Sequence, residues 1–555
     1  MRANFDDICV TAVVLVGQPA SPTQAHPTSA ADGTTPDTGA ASIRSVLQQD
    51  HPDLDLIVVD GRGQHAPPDF IPEDADGTRI HHLPGSFATR SAMLNAALHA
   101  ARADFLLLLD HARGNIELRR SALRTMLMAA TRRPDVHGVR PALVYGDYER
   151  VEPDGTRHEV HLLDWHPGRL RDTFDLGPLL LLDASLLRRC GGFDESLDAV
   201  LWYDIRLKLT EHAPAMHIAN RYAGSLCAVN APGDKHNVFD YLLAERDVQQ
   251  QAERACTAHL KRIGAYLAPG DHILTVDYTP DECARFHDCI ASVVTPVNHR
   301  PEFIGRAIES VQAQTDPRVE MIVVVNGGPH DPTADQVRRY MDGGDRYDPA
   351  RPPVRLIVVD INNLGLCLNA GIAAARGKFY VQLDSDDRLK PNAVEKLLEV
   401  FDADPTVGMV IGSYEVWTLD ENTGQLHRNE EIPVVTHDEW TPENGRNNLL
   451  RINGAGAPRA AHIKVIREVG WFGVNDAPAC RNYGEDYDLV LRISERYTIG
   501  RVWEPIYEVI RHSGGTDHAI DQATIDRNDD AKDHMRIEAL RRRRRLNRSP
   551  SRGLT

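Results

Sequence analysis

Short apolar runs alternate with segments of helical spacing along much of the chain. In the second half the runs ASVVTPV, VEMIVVV, VRLIVVD, KFYVQL and VGMVIGS are brief and rich in β-branched residues, as buried strands are. The segments PEFIGRAIESVQAQ, LNAGIAAARG and PNAVEKLLEVFDA lie between them and space their apolar residues as helices do. This alternation predicts the α/β fold class, with a mostly parallel sheet covered by helices.

The two halves of the chain resemble each other. SVLQQDHPDLDLIVVDG is similar to SVQAQTDPRVEMIVVVNGG, and NAALHAARADFLLLLDHARG matches NAGIAAARGKFYVQLDSDDR without a gap, which places Asp110 opposite Asp384. Later, DASLLRRCGGFDE is similar to HIKVIREVGWFGV, and WYDIRLKLTE to DYDLVLRISE. Because these blocks keep the same order, the sequence predicts a tandem duplication of one fold. We expect a first copy at 1–268, a linker at 269–288, a second copy at 289–515 and a helical, Arg-rich tail at 516–555.

The net charge and its distribution limit the classes of molecule that the protein is expected to bind. The 555 residues carry a formal net charge of −18, which argues against nucleic-acid binding. The tail RIEALRRRRRLNRSPSRGLT is strongly basic, and it is interpreted either as a solvated helix end or as a weak peripheral contact with anionic lipid or a polyanionic acceptor.

Hydrophobicity and cysteine usage indicate a cytoplasmic protein. No apolar run approaches the ~20 residues that cross a bilayer. The opening MRANFDDICV has acidic residues where a signal peptide is basic, so its apolar continuation predicts a first strand. The eight cysteines are scattered without metal or disulfide spacing, which is typical of reduced thiols.

Three carboxylates, Asp384, Asp386 and Asp387, follow the strand-like run KFYVQL within four residues. Burying all three together would cost several kcal/mol through mutual repulsion and desolvation. A segment with Pro391 near its start follows, so the acids could cap a helix. Alternatively they hold a cation, because ligands of such sheets bind at the carboxyl ends of the strands.

Four ordered segments resemble the family 2 glycosyltransferases, which have the GT-A fold. They are SVVTPVNHRPEFIGRAIESVQAQT, LNAGIAAARGKFYVQLDSDD, GEDYDLVLRI and IYEVIRHSGG, and the resemblance covers most of residues 290–515. It implies two tandem GT-A domains with Rossmann-like, mostly parallel sheets. It also implies an inverting enzyme that moves a sugar from a nucleotide-sugar, with a UDP-sugar as the expected donor, to an acceptor hydroxyl.

By this resemblance, Asp384 and Asp386 form a D-x-D pair that holds a divalent cation, and His512 completes the metal site. Carboxylate ligands suit Mn²⁺ or Mg²⁺, and such an ion would neutralise the leaving diphosphate as a Lewis acid. For His512 the alternative stays open that it only makes a backbone hydrogen bond at a strand end.

The resemblance also implies a set of donor-binding residues, namely Thr295, Pro296, Asn326, Asp384 and Arg511. Arg511 would hold a phosphate through two hydrogen bonds, although a surface ion pair is equally compatible with the pattern. Relatives carry an acidic residue where this chain has Val325 and Asn326. Asn326 would bond a base edge, but this departure weakens the expectation of uridine.

The segment GEDYDLVLRI supplies the general base by resemblance, at Asp486 with Glu485 beside it. Its pattern predicts a turn and then a helix whose Leu489, Val490 and Ile493 face the core. We expect the neighbouring charge of Glu485 to raise the pKa of Asp486. The alternative is that both acids only cap the helix and favour its dipole.

The first copy lacks most of these acids. At the aligned positions it has Ala112, Arg113, Leu201 and Trp202, although Asp110 remains. A Pro/Thr/Ala-rich insertion, GQPASPTQAHPTSAADGTTPDTGA, follows its first strand and has the composition of a flexible loop. We therefore expect a degenerate, non-catalytic first domain.

Two other functions remain open. A sugar nucleotidyltransferase would need a Gly-rich, basic loop after the first strand, which VTPVNHRPEF does not provide. A non-catalytic carbohydrate-binding or scaffold protein would have no reason to keep both acidic motifs. The acceptor, whether a glycan, a lipid-linked sugar or a small molecule, is expected to contact EEIPVVTHDEWTPENGRNNLLRINGAGAPR.

Overall fold

A computed structural model describes most of the chain, and it separates the chain into two compact units, Met1–His259 and Leu260–Thr555. The described residues are 7–17, 39–62, 79–131, 140–220, 224–230, 246–437, 444–452, 456–474, 483–513 and 521–548. Nearly all of the predicted flexible insertion lies outside them, as does part of the predicted acceptor segment. The expected domain bounds stay a prediction.

The first unit alternates strands and helices. Its described strands are β1 (Val10–Val16), β2 (Leu54–Asp60), β3 (Arg79–Pro84), β4 (Phe105–Leu109), β5 (Asn115–Leu118), β6 (Leu143–Gly146), β7 (Tyr148–Val151), β8 (Arg157–Val160), β9 (Leu179–Asp183), β10 (Ala215–Ile218) and β11 (Cys227–Asn230). Its described helices are α1 (Ala40–Leu47), α2 (Arg90–Ala100), α3 (Ala122–Thr131), α4 (Ala184–Arg189), α5 (Leu201–Thr210) and α6 (Arg246–Arg262), whose end passes into the second unit.

The second unit continues the alternation. Its described strands are β12 (Ala291–Val297), β13 (Val319–Val325), β14 (Val354–Val358), β15 (Phe379–Gln382), β16 (Arg388–Leu389), β17 (Val407–Leu419), β18 (Leu426–Arg428), β19 (Arg459–His462) and β20 (Thr498–Arg511). Its described helices are α7 (Pro280–Arg285), α8 (Ile304–Gln312), α9 (Pro332–Arg338), α10 (Leu364–Ala374), α11 (Ala393–Ala403), α12 (Gly445–Asn448), α13 (Ile463–Glu468), α14 (Glu485–Ser494) and α15 (Gln522–Arg548).

The main sheets of the two units share one strand order. In the first unit it is β3-β2-β1-β4-β9-β6-β10, and in the second it is β14-β13-β12-β15-β19-β17-β20, extended by β16. The first four strands of each are parallel, and the fifth, β9 or β19, runs antiparallel to both of its neighbours. The α/β fold class with parallel-rich sheets is therefore confirmed.

One side-chain contact also recurs in both units. In the first, Asn95 Nδ2 donates to Phe193 O and accepts through Oδ1 from Phe193 N, each at 2.9 Å. In the second, Asn369 makes the same two hydrogen bonds with Phe472, at 2.9 and 3.0 Å. The sequence comparison aligns these asparagines and phenylalanines. The common contact and strand order are what a duplication requires, although duplication itself stays a prediction.

The central strands are apolar because they are covered on both faces. Every residue of β13 is buried, as is every residue of β4 in the first unit. Parallel strands in such sheets read as continuous apolar runs without alternation. This burial leaves the carboxyl ends of the strands as the place where polar side chains can gather.

Within the described residues, the basic tail forms α15, which ends at Arg548, and several arginines of this helix point into the second unit. Arg536 and Arg543 are fully buried. Arg536 donates to the carbonyls of Leu450 and Ile452, at 2.9 and 2.7 Å, and Arg542 pairs with Glu495 at 2.9 Å. The interpretation of the run as a solvated helix end is therefore wrong for these residues, since their charge is used in packing the helix.

Candidate active site

The carboxyl ends of β12, β13 and β15 lie side by side and carry several predicted donor-binding residues. Thr295 is fully buried near the end of β12, and its hydroxyl has no hydrogen-bond partner among the described residues. Pro296 follows it and is partly exposed. Asn326 comes directly after β13, and its Nδ2 lies 3.4 Å from both Asn362 Oδ1 and Cys367 Sγ. The Asn326 Oδ1 atom is buried without a partner in the described part of the chain.

The three aspartates after β15 form a turn and do not cap a helix. The Asp387 N–H donates to the Asp384 carbonyl at 3.2 Å, and the chain then enters the short strand β16. The following helix begins at Ala393 with Asn392 as its N-cap residue. The capping interpretation of the acidic motif is therefore wrong.

Asp386 lies between an imidazole and a guanidinium. Its Oδ2 atom is 3.0 Å from His512 Nε2, and the same oxygen accepts from Arg300 Nη1. The His512 side chain is 2% exposed and stacks on Phe303, with ring centroids 4.3 Å apart. His512 thus bonds a side chain of the acidic motif, so the alternative of a backbone bond alone does not describe it.

Asp387 has a different environment from its two neighbours. Its carboxyl accepts from the Tyr507 hydroxyl and from the Ile510 N–H, each at 2.8 Å. Burial raises the pKa of Asp387 well above its usual range, and the charges of Asp384 and Asp386 raise it further. Its oxygens are engaged in fixing the turn to β20, which leaves Asp384 and Asp386 as the carboxylates of the motif that are partly exposed.

The second acidic motif opens helix α14. Gly484 precedes it with φ of +81°, a left-handed conformation that side chains other than glycine seldom adopt. Leu489, Val490 and Ile493 are buried, which confirms the predicted core face of the helix. Glu485 is buried as well, whereas the Asp486 side chain is 29% exposed. Asp486 is therefore the acid of this pair that a substrate can reach.

A chain of hydrogen bonds joins the two acidic motifs. Gln382 Nε2 donates to Asp384 Oδ1 at 3.3 Å, and Gln382 Oε1 accepts from Arg459 Nε at 3.2 Å. Arg459 Nη1 then donates to Asp486 Oδ2 at 2.6 Å. Residues separated by about a hundred positions in sequence thus lie in one site.

The two acids of the second motif ionise differently. Burial raises the pKa of Glu485 to about 8, with the charge of Asp486 adding to this effect. Burial would also raise the pKa of Asp486, but the charges of Arg459 and Lys532 outweigh it, so this pKa is lowered from its ordinary value. The expectation that Glu485 raises the pKa of Asp486 is therefore wrong, because it neglected these two cations.

Arg511 is the last residue of β20 and is partly exposed, next in sequence to His512. Its backbone pairs with Thr418 of the neighbouring strand β17. Its assignment to the donor phosphate stays a prediction, as do the roles of the other predicted site residues.

The first unit has an arginine in the corresponding turn. Arg113 binds Asp175 through two hydrogen bonds of 3.0 and 2.6 Å, and its Nε lies 3.3 Å from Asp110 Oδ2. Trp202, aligned with Asp486, packs edge-on against Phe193 with ring centroids 6.2 Å apart. A guanidinium thus accompanies the one retained carboxylate, and the non-catalytic role of the first domain stays a prediction.

Several residues of this site were not singled out from the sequence, chiefly Arg300, Gln382, Arg459, Tyr507 and Lys532. Arg300 and Arg459 were present in the quoted segments, but an isolated arginine carries no signal of its partner. Their importance follows from contacts made across more than twenty residues of chain.

Residues 292–467 match the model of glycosyl transferase family 2. This part of the chain is a family 2 glycosyltransferase domain. The match includes the D-x-D turn and Arg459, while Asp486 and His512 follow it in the same structural unit. The family recognised from the sequence motifs is therefore confirmed.

Curated relatives share this domain at low identity. The chondroitin synthase of Pasteurella multocida is 24% identical over 238 residues, which are 43% of this chain and 22% of that protein. The hyaluronan synthase of Pasteurella multocida is 24% identical over 227 residues, which are 41% of this chain and 21% of that protein. An uncharacterized glycosyltransferase of Nostoc is 31% identical over 121 residues, or 22% of this chain and 35% of that protein. The chain thus spans less than a quarter of each synthase.

Solved structures give partial likenesses of fold. Staphylococcus aureus TarS residues 1–349 in complex with UDP-GlcNAc is 15% identical, with a TM-score of 0.32 over 42% of this chain and 61% of that one. The mannosyltransferase PcManGT of Pyrobaculum calidifontis with GDP-Man and Mn²⁺ is 16% identical, with a TM-score of 0.30 over 48% of this chain and 68% of that one. Neither alignment decides the donor or the metal of this chain. Among the described residues, no helix is both long and apolar enough to span a bilayer.

Proposed function

We propose that the second unit is an inverting glycosyltransferase that moves a sugar from a nucleotide-sugar, with UDP-sugars the first to test, to an acceptor hydroxyl. The observation that carries this proposal is the hydrogen-bonded chain from Asp384 through Gln382 and Arg459 to Asp486. It joins a candidate leaving-group site, which lies in the family-matched residues, to a candidate base that follows them in the same structural unit.

Asp384, Asp386 and His512 would hold the divalent cation. Two partly exposed carboxylates and an imidazole are suitable ligands for Mn²⁺, and the two carboxylates alone are also suitable ligands for Mg²⁺. The donor set fits because Asp386 Oδ2 and His512 Nε2 already meet at 3.0 Å, while Asp387 is engaged with Tyr507 and Ile510. When bound, the cation would supply Lewis-acid neutralisation of the leaving diphosphate.

Positive side chains of the protein would bind the same diphosphate. Arg300 and Arg511 lie on loops or strand ends beside the acidic motif, and Arg300 contacts it directly. Asn326, after β13, would bond a polar edge of the nucleobase through its buried Oδ1, which needs a donor. Thr295 and Pro296 would form the wall of the nucleotide site at the end of β12.

Asp486 would accept the proton of the attacking hydroxyl. Its lowered pKa keeps it ionised near neutral pH, and its partial exposure allows contact with an acceptor. Glu485, with a pKa of about 8, would remain protonated and would not compete for that proton at neutral pH. A positioned general base typically contributes about 10²–10⁴ in rate.

The decisive experiment is a donor screen with a matched inactive variant. The protein is incubated with Mn²⁺ and a panel of UDP- and GDP-sugars, and release of the nucleoside diphosphate is measured with and without candidate acceptors. We expect turnover with one UDP-sugar, and its loss in Asp386→Ala. Equal release by Asp386→Ala, or release with no donor of the panel, would contradict the proposal.

The proposal retains the cytoplasmic location expected from the sequence, with an optional peripheral membrane contact through α15. Arg536 and Arg543 are buried, so these two charges are not available to bind lipid. Sedimentation of the full chain with anionic and neutral vesicles tests it, and equal sedimentation with both would remove the contact from the proposal.

A further inference from the structure

The C-terminal helix α15 packs directly against the start of α14, where the second acidic motif lies. Met535 lies so close to Gly484 that a Cβ atom there would come within 2.4 Å of Met535 Cε. Arg536 Cζ lies 5.0 Å from the Tyr487 ring centroid. Residues of α15 thus contact both sides of Glu485 and Asp486 in the sequence, although α15 lies beyond the family-matched residues.

Lys532 is the residue of α15 that faces this motif with a positive charge. Its Nζ lies 4.8 Å from the ring centroid of Tyr483 and 5.7 Å from that of Tyr487. Tyr483 and Tyr487 immediately flank the Gly484–Asp486 turn in the sequence. Because the ammonium of Lys532 contacts both rings, it lies close to this turn. A cation over aromatic faces is stabilised by the ring quadrupoles, which offsets part of its loss of hydration.

We propose that Lys532 is a positioning residue of the active site, which holds Glu485 and Asp486 in the arrangement and charge state that the second acidic motif needs. The helix α15 is then part of the catalytic unit. The catalytic consequence rests on the proposed function, whereas the electrostatic coupling does not.

The charged groups around Glu485 and Asp486 show what Lys532 contributes to this motif. Arg459 already binds Asp486 from β19. Other ionisable groups nearby include two ion pairs, Asp488–Arg492 and Asp533–Arg536. Burial raises the pKa of the Tyr380 and Tyr487 hydroxyls, which keeps them uncharged. On α15 itself, the carboxylate of Asp529 acts on Lys532, and the Tyr483 side chain hydrogen-bonds it. Asp384, in the turn after β15, adds negative charge. Lys532 approaches the two acids from α15, and its charge lowers the pKa of both Glu485 and Asp486.

A double-mutant cycle tests the coupling without any assay of transfer. The unfolding midpoints of wild type, Lys532→Met, Glu485→Gln and the double variant are measured at pH 5 and pH 9. At pH 9, where Glu485 is ionised, we expect Lys532→Met to lower the midpoint more in the wild-type background than in Glu485→Gln. At pH 5 Glu485 is protonated, so the two changes should be additive. Additivity at both pH values would overturn the proposal.

Transfer kinetics test the catalytic consequence. We expect Lys532→Met to lower kcat by about tenfold, the effect of one pKa unit on a charged site, with little change in nucleotide affinity. Lys532→Arg should restore most of kcat. Arg527→Met replaces an exposed residue of the same helix and should leave kcat unchanged. Equal kcat values in Lys532→Met and wild type would overturn the catalytic role. A wild type that transfers no sugar would contradict the proposed function, while the cycle still decides the coupling.

Discussion

Arg459 Nη1 lies 2.6 Å from Asp486 Oδ2, so the candidate base is held by a guanidinium. Arg459 is 10% exposed and also bonds Gln382, which ties it to the strand that carries the D-x-D turn. A charge-assisted hydrogen bond of this kind fixes the orientation of the carboxylate and keeps it ionised. It explains how Asp486 can be oriented and charged at the start of the reaction.

The base is tested with Asp486→Asn. We expect transfer to fall at least about a hundredfold, because the amide cannot accept the hydroxyl proton, while nucleotide binding stays near wild type. Asp488→Asn is the matched control, since Asp488 is on the same helix turn but pairs with Arg492. It should retain activity within a few-fold. Near-normal kcat in Asp486→Asn would remove Asp486 from the mechanism.

We expect transfer to depend on a divalent metal, because Asp386 Oδ2 and His512 Nε2 lie 3.0 Å apart and can bind one ion. Chelation with EDTA should abolish transfer, and Mn²⁺ or Mg²⁺ should restore it. Asp386→Ala should weaken Mn²⁺ binding, measured by calorimetry, as well as turnover. Asp402→Ala, an exposed carboxylate on α11, serves as the control. Full activity in excess EDTA would refute the metal site.

Arg300 donates to Asp386 Oδ2, so it would compete with a cation for that oxygen. Arg300→Met should therefore tighten Mn²⁺ binding by about two- to fivefold, since an ion pair of up to ~1 kcal/mol no longer has to be broken. The same variant should bind UDP more weakly, because a positive charge beside the diphosphate is lost. Arg306→Met, in the first turn of α8, should change neither affinity. Weaker Mn²⁺ binding in Arg300→Met would show that Arg300 does not oppose the metal.

The first unit is expected to be silent in catalysis. Asp110→Ala should leave transfer within a few-fold of wild type, and Arg113 would still be held by its two hydrogen bonds to Asp175. The comparison is Asp386→Ala at the aligned motif of the second unit. Comparable losses in the two variants would indicate a working site in each unit.

Glu485 should give the protein a specific pH dependence of stability. Its pKa is raised from 4.5 to about 8 in the folded protein, so folding favours the protonated form. The stability this provides is present at low pH and is lost as the pH rises through that interval. Glu485→Gln should match wild type near pH 5 and exceed it at pH 8.5, by on the order of 2–4 kcal/mol. Urea unfolding at several pH values measures this, with exposed Glu302→Gln as control. Parallel curves for wild type and Glu485→Gln would contradict it.

The sequence by itself determined the strands and the family. The run VEMIVVV coincides with β13 and ASVVTPV with β12, because central parallel strands are covered on both faces and are therefore mostly apolar. Four short motifs identified the family 2 domain, since their residues are close together in the chain. Local pattern also predicted the buried face of α14 from Leu489, Val490 and Ile493.

Only the tertiary structure decided how the acids are paired. Arg300 reaches Asp386 and Arg459 reaches Asp486 through the order of strands in the sheet, and no local pattern encodes those partners. The basic tail was interpreted either as solvated or as a contact with a polyanion, yet Arg536 and Arg543 are buried and donate to carbonyls far away in sequence. The pKa of Asp486 was misjudged for the same reason. The charge of a side chain can be read from the sequence, but its effect depends on distance and burial, which are set when distant segments pack together.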